Sequence, residues 1–142
     1  MVQLLDSGSI LPLSVASFSE CSGIESTMEI EEYREGGVND RVHIFPSRFT
    51  FSNIILKRGV SLDPQLRMWH RALLDGKPDR RDGLIIVQNE FKLPVAAWKF
   101  DRGLAVKYTG PDLNATESGS SIETLEIAHE RLENFDLGAL LF

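Results

Sequence analysis

The chain is short of the residues from which most chemical sites are built. Its one cysteine, Cys21, excludes an internal disulfide and a multi-cysteine metal site. The three histidines, His43, His70 and His129, include no pair four residues apart, so no helical zinc pair is present. Neither a glycine-rich phosphate loop nor a G-x-S-x-G nucleophile turn occurs. No apolar run approaches the roughly 20 residues a membrane-spanning helix requires, so no membrane anchor is expected. Basic residues are outnumbered, 15 against 21 acids, for a net charge of -6. That balance argues against a general nucleic-acid binder, which needs a basic face to displace counterions. Residues 1–8 carry no Lys or Arg before a modest apolar stretch at 10–16, so no signal peptide is read. The expectation is synthesis in the cytoplasm.

What is present describes a folded chain. Apolar residues make up 42% and charged residues 25%, which removes the disordered and low-complexity classes. The 142 residues fit one domain, 1–142, with no repeat and no dividing linker. Glycine and proline fall as punctuation between short apolar segments, a spacing that favours β structure. The clearest helix lies at 64–74. Leu62, Leu66, Trp69 and Leu73 form one apolar stripe there, Asp63 offers a cap and Asp75-Gly76 a stop. Strands are read at 11–18, 49–58, 83–88, 95–101 and 104–109 from alternation and β-branched or aromatic content.

Two segments conflict. Residues 25–35 are rich in glutamate, which favours a helix, yet Ile24, Met28 and Ile30 share a strand face. In 122–132, Ile122, Leu125, His129 and Leu132 fit a helical face, and Ser120 with Glu123 fits a capping box.

No residue set demands catalysis. A nucleophile–base pair using Cys21 is conceivable, as is a site on His129, but a lone cysteine more often fills an apolar gap. The charged clusters are more informative. Glu31-Glu32-Tyr33-Arg34-Glu35 precedes Gly36-Gly37, and Lys57-Arg58-Gly59 follows an apolar strand. For a monomer these would be solvated strand ends. In an assembly, opposite charges on different faces meet between subunits and fix register.

The same clusters carry a resemblance. Phe18-Ser19-Glu20-Cys21-Ser22-Gly23-Ile24, followed by the 31–37 block and by Asn53-Ile54-Ile55-Leu56-Lys57-Arg58-Gly59, resembles the phage tail tube protein family. That family comprises the inner-tube proteins of contractile phage tails and of contractile injection systems. Trp69, then Pro94, Trp98 and Phe100, then Gly110 to Ala115 and Ile122 to Glu130 match further blocks in order. The resemblance spans residues 18 to 132.

The resemblance implies a mainly β fold, a barrel or sandwich of two packed antiparallel sheets with one flanking helix near 64–74. It makes 122–132 a strand against its helical pattern, and 25–35 a strand as well. It implies a homo-hexameric ring stacking into a hollow tube, with sheath and baseplate or tube-initiator proteins as partners. Effector protein or DNA would pass along the lumen without specific nucleic-acid recognition. No catalytic, cofactor or metal residue is implied, and the product is a phage tail or injection particle. The candidate inter-subunit residues are Glu32, Tyr33, Arg34, Glu35, Gly36, Gly37, Asn39, Lys57 and Arg58, with 38–48 as a loop reaching a neighbour. A tube initiator that forms one ring, a type VI secretion-like ring or carrier, and a small enzyme are the competing readings.

Overall fold

The computed structural model describes residues 2–6, 16–34, 36, 41–59, 64–111 and 121–138. In chain order the elements are β1 (Val2–Asp6), β2 (Ala16–Phe18), β3 (Glu20–Ser22), β4 (Ser26–Tyr33), β5 (His43–Phe51) and β6 (Ile54–Gly59). Then come α1 (Gln65–Leu74), β7 (Arg81–Gln88), β8 (Pro94–Thr109), β9 (Ile122–Ala128) and β10 (Arg131–Asn134).

All pairings are antiparallel, and the main path runs β2-β1-β7-β8-β9-β6-β3. Its two ends are consecutive in the chain, separated only by Ser19. Ser19 donates its backbone N–H to the Lys57 carbonyl at 2.9 Å as the chain passes from one sheet to the other. The chain itself thus bridges the two ends of the path at this corner, while β2, β3 and β10 each pair with one strand only among the described residues. The opposite corner is β8. Its first part pairs with β7 and β10, and its last part with β9.

The β8 corner sits at 101–103, where the sequence reading ends one strand at 101 and begins another at 104. Arg102 adopts a φ of 54°. Its N–H donates to Asp82 Oδ1 at 2.8 Å, and its side chain pairs with Glu130 at 2.9 Å. Beside it a Cβ on Gly103 would lie 2.5 Å from the Phe100 ring, so the bend closes only over glycine.

Core side chains come from both sheets and the helix: Val2, Leu4, Phe18, Ile54, Leu56, Leu66, Trp69, Ile85, Phe100, Ala105, Leu125 and Ile127. Ile54, Ile85 and Ile127 are wholly buried, each worth roughly 1.5–3 kcal/mol of apolar transfer. The helix begins one residue later than its expected start, with Pro64 at the N-cap and no side-chain cap bond; Asp63 lies outside the described residues. It ends as expected. Gly76 N–H reaches Leu73 O at 3.2 Å and Lys77 N–H reaches Ala72 O at 2.9 Å, the paired bonds of a Schellman stop. Leu66 and Trp69 face inward. Trp69 Nε1 donates to Asp79 O at 2.7 Å, and His70 Nδ1 lies 2.7 Å from Ala105 O, tying α1 to β8.

Four expectations are adjusted in extent. The expected strand at 49–58 is two strands in different sheets, broken at Ser52-Asn53. The segment at 122–132 is strand, as the resemblance implied and the helical pattern did not. It divides into β9 and β10, with Glu130 N–H donating to Asp101 O at 3.0 Å beside the β8 corner. Of the expected loop at 38–48, residues from His43 onward form β5, while 38–40 lie outside the described residues. From the strand read at 11–18, Ala16–Phe18 is found as β2; residues 11–15 lie outside the described residues.

Candidate functional site

β4 and β5 pair only with each other and stand off the barrel as an arm. Directly paired residues share a face, and faces alternate along each strand. The pairs Met28↔Phe49, Ile30↔Pro46 and Glu32↔Ile44 therefore lie on one side. Thr27↔Thr50, Glu31↔Phe45 and Tyr33↔His43 lie on the other, with Arg48 joined to Glu29 at 2.7 Å. That bond and the Glu29 charge raise the Arg48 pKa above its ordinary value. A register shift between Met28 and Ile30 lets β5 gain a residue without losing the common apolar side. Pro46 is tolerated because β5 pairs along one edge only. Ile30, Ile44 and Phe49 are each more than half exposed. An isolated two-stranded hairpin is at best marginal in water, and this one carries an uncovered apolar side.

The arm is fixed at its base. Gly23, at a φ of 82°, passes so close to Asn53 that a Cβ would fall 1.9 Å from the Asn53 carbonyl oxygen. Asn53 Nδ2 donates to Glu126 Oε1 at 2.9 Å, and Ser52 Oγ to Glu25 Oε2 at 3.0 Å. His129 Nε2 lies 3.0 Å from Ser52 O, and its ring stands 5.6 Å from that of Phe51 and 6.4 Å from that of Phe100. His129 is thus a packing residue at the arm's root.

The candidate residues divide. Glu32 and Tyr33 end β4 and, with Arg34 and Gly36, are exposed at the distal part of the arm. Glu35, Gly37 and Asn39 lie outside the described residues. Lys57 lies half-buried on β6, 3.7 Å from Glu20. Arg58 is a correction. It follows Ile54 and Leu56 in the inward-facing positions of β6 and is 6% exposed. Its guanidinium pairs with Glu123, itself 3% exposed, and lies 5.7 Å over the Phe18 ring. Tyr108 donates to the other Glu123 oxygen at 2.6 Å. Loss of water, then that hydrogen bond and the Glu123 charge, raise the Tyr108 pKa, so the phenol stays a donor. This cluster joins β6, β8 and β9 within one copy. The sequence reading missed it because the only signal, Glu123 in step with Leu125 and Ile127, was hidden by the helical pattern.

Cys21 packs against the core, and burial pushes its thiol from 9.0 up to about 11. At pH 8 it should react with iodoacetamide about 100-fold more slowly than an unperturbed thiol, followed by mass spectrometry. A rate within a few-fold of a free cysteine would contradict the burial. Among the described residues no cluster of three metal-ligating side chains occurs.

Packed antiparallel sheets, one flanking helix and a separate two-stranded arm define the architecture. The model of the T4-like virus tail tube protein gp19 family matches residues 8–133, and the chain belongs to that family. It is accordingly a structural, non-enzymatic tail tube protein, a component of a phage tail-like particle. A chain in the baseplate of the anti-feeding prophage is 26% identical, with a TM-score of 0.81 over 96% of this chain and 91% of that one. A chain in the sheath–tube complex of a PVC extracellular contractile injection system is 18% identical, with a TM-score of 0.79 over 94% and 87%. Hcp1 from Flavobacterium johnsoniae shares the fold more loosely, at 14% identity and a TM-score of 0.59 over 95% and 98%. No curated relative matches by sequence comparison.

Proposed function

We propose that residues 1–142 act as one tail-tube domain, six copies of which close into a ring, and that rings stack into the hollow inner tube of a contractile tail or injection system. The observation that carries this reading is the arm, whose apolar side is left uncovered by the described residues of its own copy. A contact between unlike surfaces propagates from copy to copy, closing as a ring or continuing as a filament. The residues assigned to inter-subunit or ring-stacking contacts are Glu32, Tyr33, Arg34, Glu35, Gly36, Gly37, Asn39 and Lys57. The partners on this reading are a sheath protein outside, baseplate or initiator proteins at one end, and protein or DNA cargo within. Sheath contraction would drive the tube through an envelope.

Electron microscopy of the purified chain tests this. The intact chain is expected to form rings and tubes. A chain with residues 30–46 replaced by a short Gly-Ser turn should stay monomeric, with its far-UV circular dichroism still showing the barrel. Normal tubes from the shortened chain would reject the role of the arm. The likeness to a baseplate chain favours one alternative, a tube initiator. Single rings that never elongate, at any concentration, would select it.

A further inference from the structure

Two surfaces are unmatched among the described residues, and they complement each other. One is the apolar side of the distal arm: Ile30, Ile44 and Pro46, with Glu32 beside them. The other is the outer side of α1. Leu66 and Trp69 face the core, which leaves Arg67, Met68, Arg71 and Leu74 outside, Met68 62% and Leu74 73% exposed.

Charge complements them at one place, Glu32 on the apolar side of the arm, although the arm as a whole also carries Arg34, His43 and Arg48. α1 carries Arg67, His70 and Arg71 and no acid, whereas β4 carries Glu29, Glu31 and Glu32 and no base. Glu29 is matched by Arg48 across the arm, but Glu31 and Glu32 have no ion-pair partner among the described residues. On α1, Arg71 lies 3.9 Å from Asp75, both well exposed, and so is not tied down. The lengths agree as well. Four paired residues from Ile30 to Tyr33 span about 13 Å, and the ten residues of α1 span about 15 Å.

We propose that the distal arm of one copy lies along the outer side of α1 of a second copy. Ile30, Ile44 and Pro46 cover Met68 and Leu74, and Glu32 meets Arg67 and Arg71. This rests on the reading that the chain assembles with itself, and names the surface that receives the arm. The contact joins unlike faces, so each copy gives its arm to one neighbour and receives another on its helix.

Two experiments test it. In a Cys21→Ser background, Ile30→Cys with Met68→Cys should, on oxidation, give a ladder of covalent multimers on a non-reducing gel. Either cysteine alone should give no ladder beyond the dimer. Separately, Glu32→Arg should lower tube yield at least tenfold, as should the Arg67→Glu, Arg71→Glu pair. The chain carrying all three changes should recover most of the wild-type yield. Because the altered residues are exposed, each variant should keep the wild-type melting temperature within a few degrees, which separates lost contact from lost fold.

If wild-type tubes form but the ladder is absent, or the triple variant stays as defective as its parents, the arm–helix contact is wrong and the tube reading stands. If the α1 variants make normal tubes and lose only co-assembly with a sheath protein, α1 belongs to the sheath, which also overturns the inference. A wild-type chain that never self-associates would remove both.

Discussion

A Glu123→Ala chain is expected to lose about 3–5 kcal/mol of stability, measured by urea titration of far-UV circular dichroism on dilute, unassembled protein. The reason lies in what is left behind. Arg58 and Glu123 face each other across β6 and β9 at positions 6% and 3% exposed. Removing the carboxylate takes the closest opposite charge and hydrogen-bond acceptor away from a buried guanidinium, whose charge is costly to keep out of water. Tyr108 loses its acceptor in the same step. The double variant Arg58→Met, Glu123→Leu should recover most of that loss, since replacing both charges removes the stranded one. A single variant that loses less than about 1 kcal/mol would mean water reaches Arg58 and the pair is not a core element.

The second large effect is expected at the arm's root. Gly23→Ala sets a methyl group 1.9 Å from the Asn53 carbonyl oxygen and a side chain on a backbone with a φ of 82°. The conformation alone costs roughly 1–2 kcal/mol and the forced displacement roughly 1–3 more. Both strands of the arm enter the barrel at this crossing, so the shift should change how the arm leaves it. The expected outcome is a protein less stable by about 2–5 kcal/mol, cut by protease near residues 23–25 and 52–53, and deficient in assembly. Wild-type stability with wild-type tubes would show that the crossing tolerates a wider gap.

Much of the fold was legible because its signals were local. The helix declared itself through the Leu66–Trp69 stripe and its glycine stop, and both were found. The strand at 49–58 was misjudged in extent, because its break at Ser52-Asn53 is imposed by Gly23, thirty residues away in sequence. β8 was read as two strands because Asp101-Arg102-Gly103 carries turn chemistry. What keeps the strand continuous is Asp82 holding the Arg102 N–H, a contact between distant segments. In β9 the helical reading failed because alternation counts only if a glutamate is allowed inside, and only Arg58 and Tyr108 make that permissible. The arm's apolar side was half visible in Met28 and Ile30. Its other half on β5 was obscured by Pro46 and by the register shift that brings Ile44 and Phe49 to the same side.

The sixteen residues of β8 run through both sheets, the first part in one and the last part in the other. A pull on one sheet therefore reaches the other along peptide bonds as well as through side-chain contact. The segment Ala16–Ser22 repeats the arrangement at the opposite corner. Prising the two sheets apart would stretch two covalent straps and shear their hydrogen bonds together. Along this axis the chain should behave less like two stacked plates than like a stitched sleeve, with its give under load concentrated in the arm.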